Sequence, residues 1–215
     1  MLHNKNYRRH PALESRWKRR GATLWAIALS AAVAVTQLAA YEQPLSSESV
    51  REAYFLGQRM DGARASFLAE HSRWFPLPAT GPHVARVQAL TPYAQIVLAT
   101  QNGEIRGSAM EAERYYRAHA SLFLVRVRVY STPTYPLVGP CKEFSEQLLI
   151  IVEQKGPVQA TQRNCLRLSR SHSPAYVDVV LSFDADLLSP TPLTVAVLPP
   201  EGQGVRAVFD LGKLK

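Results

Sequence analysis

The stretch "SLFLVRVRVY", Ser121–Tyr130, decides the fold. Side chains alternate along an extended chain, so Phe123, Val125, Val127 and Val129 share one side. The other side carries Leu122, Leu124, Arg126 and Arg128. An apolar face backed by guanidinium groups is the pattern of an antiparallel strand with one side in a core and the other emerging into water.

Working outward, the neighbouring segments repeat this texture. Upstream, "HVARVQAL" (His83–Leu90) mixes apolar and polar positions, and "AQIVLAT" (Ala94–Thr100) follows a Thr-Pro-Tyr turn; both read as strands. "QNGEIRG" is a loop. "SAMEAERYYRAHAS" lacks Gly and Pro and predicts a helix from about Ala109 to His119. Downstream, the branched Ile150, Ile151 and Val152 make "EQLLIIVEQ" (Glu146–Gln154) a strand rather than a short buried helix. "YVDVVLSF" (Tyr176–Phe183), "LTVAVLP" (Leu193–Pro199) and "VRAVFDL" (Val205–Leu211) complete the set, the last two joined by the hairpin loop "PEGQG". About seven short strands punctuated by Pro and Gly predict a mainly β (α+β) chain, with antiparallel sheets in a β-sandwich-like arrangement. An N-terminal helical segment, residues 46–75, precedes the β-rich residues 83–215. Ser49 and Glu52 read as its capping box, Asp61-Gly62 interrupts it, and "WFPLPATGP" (Trp74–Pro82) is the linker that ends it.

The N-terminus sets the compartment. Residues 1–20 hold seven Lys and Arg against one Glu, a net +6. The apolar run Ala22–Ala40 that follows is about long enough to span a hydrocarbon core, but only six of its residues are Leu, Ile or Val. A basic region followed by an apolar core is the layout of an export signal. Ala32-Val33-Ala34 and Leu38-Ala39-Ala40 supply small residues for cleavage, and the alternative is a retained anchor. On either reading residues 1–40 are a signal or anchor, and residues 41–215 form one extracytoplasmic domain. Membrane contact is expected only through residues 22–40, if they remain uncleaved.

The leader also explains the charge. The chain is +8 overall, and beyond the leader 18 Lys and Arg face 16 Asp and Glu, leaving +2. The remaining arginines are spread along the sequence, so no basic footprint for a phosphate backbone is expected and nucleic acid is excluded as a partner. Cys141 and Cys165 are the two cysteines. In an oxidising compartment they read as one structural disulfide, and without further thiols no thiolate zinc site is available.

Four segments, "AYFLGQR" (Ala53–Arg59), "TGPHVARVQALTPYAQIV" (Thr80–Val97), "RVRVYSTPTYP" (Arg126–Pro136) and "LTVAVLPPEGQGVRAVFDL" (Leu193–Leu211), resemble an uncharacterised family of exported bacterial proteins. The resemblance spans most of the chain after the leader. It implies the compartment and the fold, and transfers no activity or site residues.

No motif of catalytic specificity accompanies this organisation. Gly107-Ser108-Ala109 lacks the rest of a nucleophile elbow. His71, His83, His119 and His172 are isolated and read as surface or half-buried residues rather than ligands. Asp184 and Asp186 straddle Ala185 at a strand end. They are weak candidates for calcium, and capping of a short helical turn through Leu188 by Asp184 is the stronger reading. Trp74-Phe75 and Tyr115-Tyr116 read as core aromatics rather than a ligand platform. No cofactor, metal or catalytic residue is assigned. The expected role is therefore a non-catalytic binding or accessory protein of the bacterial cell envelope, with an envelope protein or polymer as partner. The alternatives are an extracytoplasmic hydrolase whose site assembles only in space, around His119 or His172, and an anchored structural protein.

Overall fold

The computed structural model describes residues 43–170 and 173–215. The leader, with its two cleavage motifs, and His172 lie outside these residues. Among them, five α-helices and eight strands follow in order: α1 (Ser47–Gln58), α2 (Gly62–Glu70), β1 (Ser72–Trp74), β2 (His83–Leu90), α3 (Pro92–Gln101), α4 (Ala109–His119), β3 (Leu122–Tyr130), α5 (Cys141–Gln147), β4 (Leu149–Glu153), β5 (Gln162–Arg170), β6 (Ser173–Asp184), β7 (Pro192–Leu198) and β8 (Val205–Asp210). The strands form two antiparallel sheets, β1-β2-β3-β6-β5 and β4-β7-β8. The expected α+β fold with antiparallel sheets is present.

The inner faces of the two sheets share one hydrophobic cluster. Phe123, Val125, Val127 and Val129 of β3 are fully buried, as the alternation requires, and so are Val177 and Val179 of β6. Leu193, Val195 and Val197 of β7 and Phe209 of β8 meet them from the smaller sheet. Each buried aliphatic or aromatic side chain contributes about 1.5–3 kcal/mol of transfer free energy, so this interlayer core dominates the stability of the sandwich.

A second cluster joins α1, α3 and α4 through Val50, Tyr54, Tyr93, Ile96, Val97, Ala112 and Tyr116. α1 and α3 approach closely at Gly57, where an added Cβ would lie 2.6 Å from Thr100 Cβ and 2.8 Å from the Val97 carbonyl oxygen. Buried polar contacts tie this layer to the sandwich. Gln95 of α3 donates to the main-chain oxygens of Leu90 and Leu122, and Thr91 Oγ1 donates to the Lys215 main-chain oxygen.

Five local expectations are corrected. The helical segment expected over residues 46–75 ends at Glu70, and Ser72–Trp74 is the strand β1, paired with β2. The segment Ala94–Thr100 is helical rather than extended: Thr91 caps α3 through Ala94 N–H and Pro92 occupies its first turn, the arrangement that proline's fixed φ favours. The N-cap of α1 is Ser46, whose hydroxyl accepts from Ser49 N–H, so the cap lies three residues before the expected capping box. The segment expected as one strand from Glu146 begins inside α5, and β4 starts at Leu149. Finally, β5 was not expected at all, although it borders the larger sheet and carries Cys165.

Candidate binding face

The outer face of the five-stranded sheet is built by strand register and one β-bulge. His83 and Val84 of β2 pair with Tyr130 and Val129, and Arg86 then pairs with Arg128, so Ala85 is an extra residue in β2. A bulge of this kind re-aims the side chains that follow it. Val84 and Val87 therefore both point inward, whereas Arg86 points to the outer face. There Arg86 stands directly opposite Arg128, Gln88 opposite Arg126, and Trp74 of β1 opposite Arg86. On the other side of β3, Asp178 lies opposite Arg128 and Tyr176 opposite Tyr130.

Two like charges directly opposite each other destabilise a sheet, and this pair splays apart. The Arg128 guanidinium turns towards β6. Its Nε and Nη2 donate to the two Asp178 carboxylate oxygens at 2.8 and 2.7 Å, with Cζ 4.1 Å from the Tyr176 ring centroid. The Arg86 guanidinium turns the other way and stacks on Trp74 at 5.0 Å. Asp178 is buried, and its forked bond outweighs the cost of desolvation, raising the Arg128 pKa above its ordinary value. Arg86 is shifted in the opposite direction, first by burial and then by the positive charges of Arg128 and Arg126.

Around Arg128 the face gathers three arginines, and the carboxylate among them, Asp178, is committed to Arg128, while Asp184 stands at the far end of β6 and caps the turn that follows. Among the described residues neither Arg86 nor Arg126 forms an ion pair, and the Nε atom of each is enclosed without a hydrogen-bond partner in the protein. Gln88 Oε1, opposite Arg126, is also without a partner. α3 and α4 close one end of the face, where a cavity of about 40 Å³ between Leu98, Asn102, Glu104, Tyr115 and Arg126 opens beside the guanidinium. Glu104 and Arg126 act oppositely on Tyr115, whose hydroxyl is pushed up mainly by burial. Trp74 is 65% exposed and Leu166 of β5, opposite Asp178, 57%. Apolar and aromatic surface thus flanks the positive charge.

Three larger hollows gather no comparable chemistry. The one of about 430 Å³ between β4 and the start of β5 contains Arg163, but that guanidinium is already donated to Ser145 and to the Leu148 carbonyl at the end of α5. Another, about 440 Å³, lies beside Tyr135–Gly139 and includes one carboxylate, Glu143. The third, about 210 Å³, is lined mainly by Phe75, three prolines and Val84, with Arg206 at its side.

The residues singled out in the sequence are placed as follows. Cys141 and Cys165 form a disulfide with Cα atoms 5.8 Å apart, tying α5 to β5. Asp184 accepts from Asp186 N–H at 3.0 Å and caps the short turn Ala185–Leu187, so its oxygen serves the backbone. His71 is fully buried, bonded to the main-chain oxygens of Phe67 and Lys215. His83 bonds to the Phe75 carbonyl, and His119 bonds to the Tyr115 carbonyl and stacks on its ring. No three His, Cys, Asp or Glu side chains converge among the described residues. Ser108 sits at the N-cap of α4 without a side-chain capping bond. Tyr116 is buried, where its hydroxyl accepts from Leu45 N–H at 2.7 Å. The core reading fails for Trp74, which lies open on the outer face.

The expectation of dispersed arginines is corrected too. Arg126 and Arg128 share a side of β3 by simple alternation, so half of the cluster was readable. The bulge at Ala85 hid Arg86, and cross-strand register hid Asp178.

Comparison with protein-family models, with curated proteins and with solved structures finds no match. The functional reading therefore rests on geometry alone. The disulfide fits an oxidising, extracytoplasmic compartment. Among the described residues no helix is long and apolar enough to cross a membrane.

Proposed function

We propose that this chain is an exported, non-catalytic binding protein of the bacterial cell envelope that recognises an anionic partner on the outer face of its five-stranded sheet. The observation that carries this reading is the pair Arg86 and Arg126, two half-buried guanidinium groups that form no ion pair among the described residues, the first of them stacked on the exposed Trp74. Partly desolvated positive charge attracts an anion more strongly than a solvated surface charge does. Aromatic residues and arginine are also the residue types enriched at protein interfaces. The basic leader, the disulfide and the near-neutral remainder of the chain support export.

Two free arginines are a poor match for duplex DNA. Neutralising about two phosphates gives a salt slope of only about −1.8, far below that of dedicated DNA-binding proteins. A discrete anionic partner suits the face better. The test uses the full chain against immobilised polyglutamate, polyuronate and a phosphodiester polymer, with a neutral glucan as control. Salt-sensitive retention on an anionic matrix, reduced at least tenfold by Arg86→Gln with Arg126→Gln, is the expected result. Retention on none of them, or retention indifferent to both substitutions, would overturn the reading.

A further inference from the structure

Resting on that reading, we infer that the occupant is an extended acidic polypeptide segment of the form acid-x-acid-x-apolar, laid obliquely across β3, β2 and β1. Its two carboxylates are taken by Arg126 and Arg86, and its apolar side chain rests on Trp74. The register sets the path. Arg86 pairs with Arg128, and Arg126 stands two residues from Arg128 along β3, which makes Arg126 and Arg86 diagonal neighbours about 7–8 Å apart. Alternate residues of an extended peptide lie about 6.6 Å apart and point to the same side. Two acidic side chains in an i, i+2 relation therefore match the spacing of the two arginine positions on the sheet.

From Arg86 the path turns to run directly across to Trp74, its partner on β1. There the indole is 65% exposed and has the Arg86 guanidinium stacked at 5.0 Å. A third side chain on the same side of the peptide reaches this ring, and an apolar one gains most from burying it. Asp178 sets the limit of the acidic stretch. Its carboxylate repels a further acid placed towards β6, while its fork keeps Arg128 occupied. Charge complementarity thus extends over two positions, not along a line of many. This favours a short peptide motif over a polyuronate or a phosphodiester polymer, in which the charge repeats without interruption.

The experiment is fluorescence anisotropy on the full chain with two labelled peptides of one composition, Gly-Glu-Thr-Glu-Thr-Leu-Gly and Gly-Glu-Glu-Thr-Thr-Leu-Gly, at low and physiological salt. The alternating peptide is expected to bind at least tenfold more tightly than its isomer. Arg86→Gln and Arg126→Gln should each weaken it about tenfold, the loss of one charge-assisted contact, and Trp74→Ala should weaken it severalfold. Arg86→Lys and Arg126→Lys keep the charge without the fork and should fall between wild type and the glutamine variants; melting temperatures no lower than that of the wild type show that the fold is intact. Equal affinity for the two isomers overturns the inference, as does tighter binding of a uronate or phosphodiester oligomer, and the anion-binding reading survives either result if the arginine variants still reduce binding. Indifference of every ligand to the arginine substitutions removes both.

Discussion

Replacing Asp178 by alanine tests the physical basis of the face most directly. In the native protein the carboxylate accepts two bonds from Arg128, at 2.8 and 2.7 Å, with 6% of the Asp178 side chain and 19% of the Arg128 side chain exposed. Removing one partner of a buried, bidentate pair leaves the other charge without compensation, a cost of about 3–5 kcal/mol. Arg128 retains some contact with water, which favours the lower end. Against that, the substitution removes the carboxylate that stands directly among the three arginines, so their mutual repulsion is less offset. A loss of about 3 kcal/mol is expected, equivalent to a fall in melting temperature of roughly 6–12 °C for a domain of this size. Urea unfolding followed by circular dichroism measures it, with the midpoint falling at an unchanged slope. Two double variants check the cause. Asp178→Ala with Arg128→Ala should cost less than Asp178→Ala alone, because the stranded charge is gone. Asp178→Ala with Arg86→Gln should recover part of the loss, because the opposed pair is broken. A cost below about 1 kcal/mol for Asp178→Ala, or additive double variants, would refute the reasoning: the guanidinium groups would then behave as solvated surface charges, and their lack of counterions would carry no functional meaning.

Two further outcomes are expected. Cys141→Ser with Cys165→Ser opens a cross-link between residues 24 positions apart; loop entropy assigns about 3.5 kcal/mol to it, so reduction or double substitution should lower stability by about 2–4 kcal/mol while the far-ultraviolet spectrum is retained. The pKa of His71 is lowered, chiefly by burial, against the opposing effect of its bonds to the Phe67 and Lys215 carbonyls. The unfolded chain therefore takes up a proton near pH 6.5 before the native protein does, so this contribution to stability is complete above that pH and is lost as pH falls towards the folded pKa. Melting temperatures between pH 7.5 and 5 should show the decline, and His71→Gln should flatten it; an equal slope in both proteins contradicts the assignment.

What the sequence disclosed, and what it hid, follows from how many neighbours each segment has. β3 lies inside the larger sheet with one face in the core, so its alternation is complete and its four inward residues were readable at sight. β5 has a single partner strand, and among its described side chains Cys165 packs against the core while Leu166 is exposed; the alternation in "QRNCLRLSR" is therefore weak. α3 is misleading for the opposite reason. Seven of its ten residues are buried, and a segment apolar all round has no period to distinguish a helix from a strand. The deciding signal was Thr91-Pro92 at its start rather than the apolar run itself. At the candidate face the difficulty is the bulge. A strict period of two places Val84 and Arg86 on the same side, and only the extra Ala85 moves the arginine to the surface that Arg126 and Arg128 already occupy.

That arrangement also explains how the sheet tolerates a face working against its own stability. The inner sides of β2, β3 and β6 are closed by the interlayer cluster, and β3 is paired along its full length with β6. The cohesion of the sheet thus does not depend on its outer side chains, whose opposed arginines cost only a fraction of what the core contributes. Asp178 neutralises one of the three charges and anchors Arg128 against Tyr176. With two further carboxylates in the sheet, the remaining two arginines would be neutralised and the face inert towards anions. With none, Arg128 would be free to turn and the spacing between charges would be lost. Asp178 among the three arginines fixes the geometry while leaving positive charge uncompensated, and an acidic partner, as proposed, would relieve the repulsion between the remaining guanidinium groups. On the proposed reading, the affinity of the site is therefore set by the placement of its charges rather than by the area it buries.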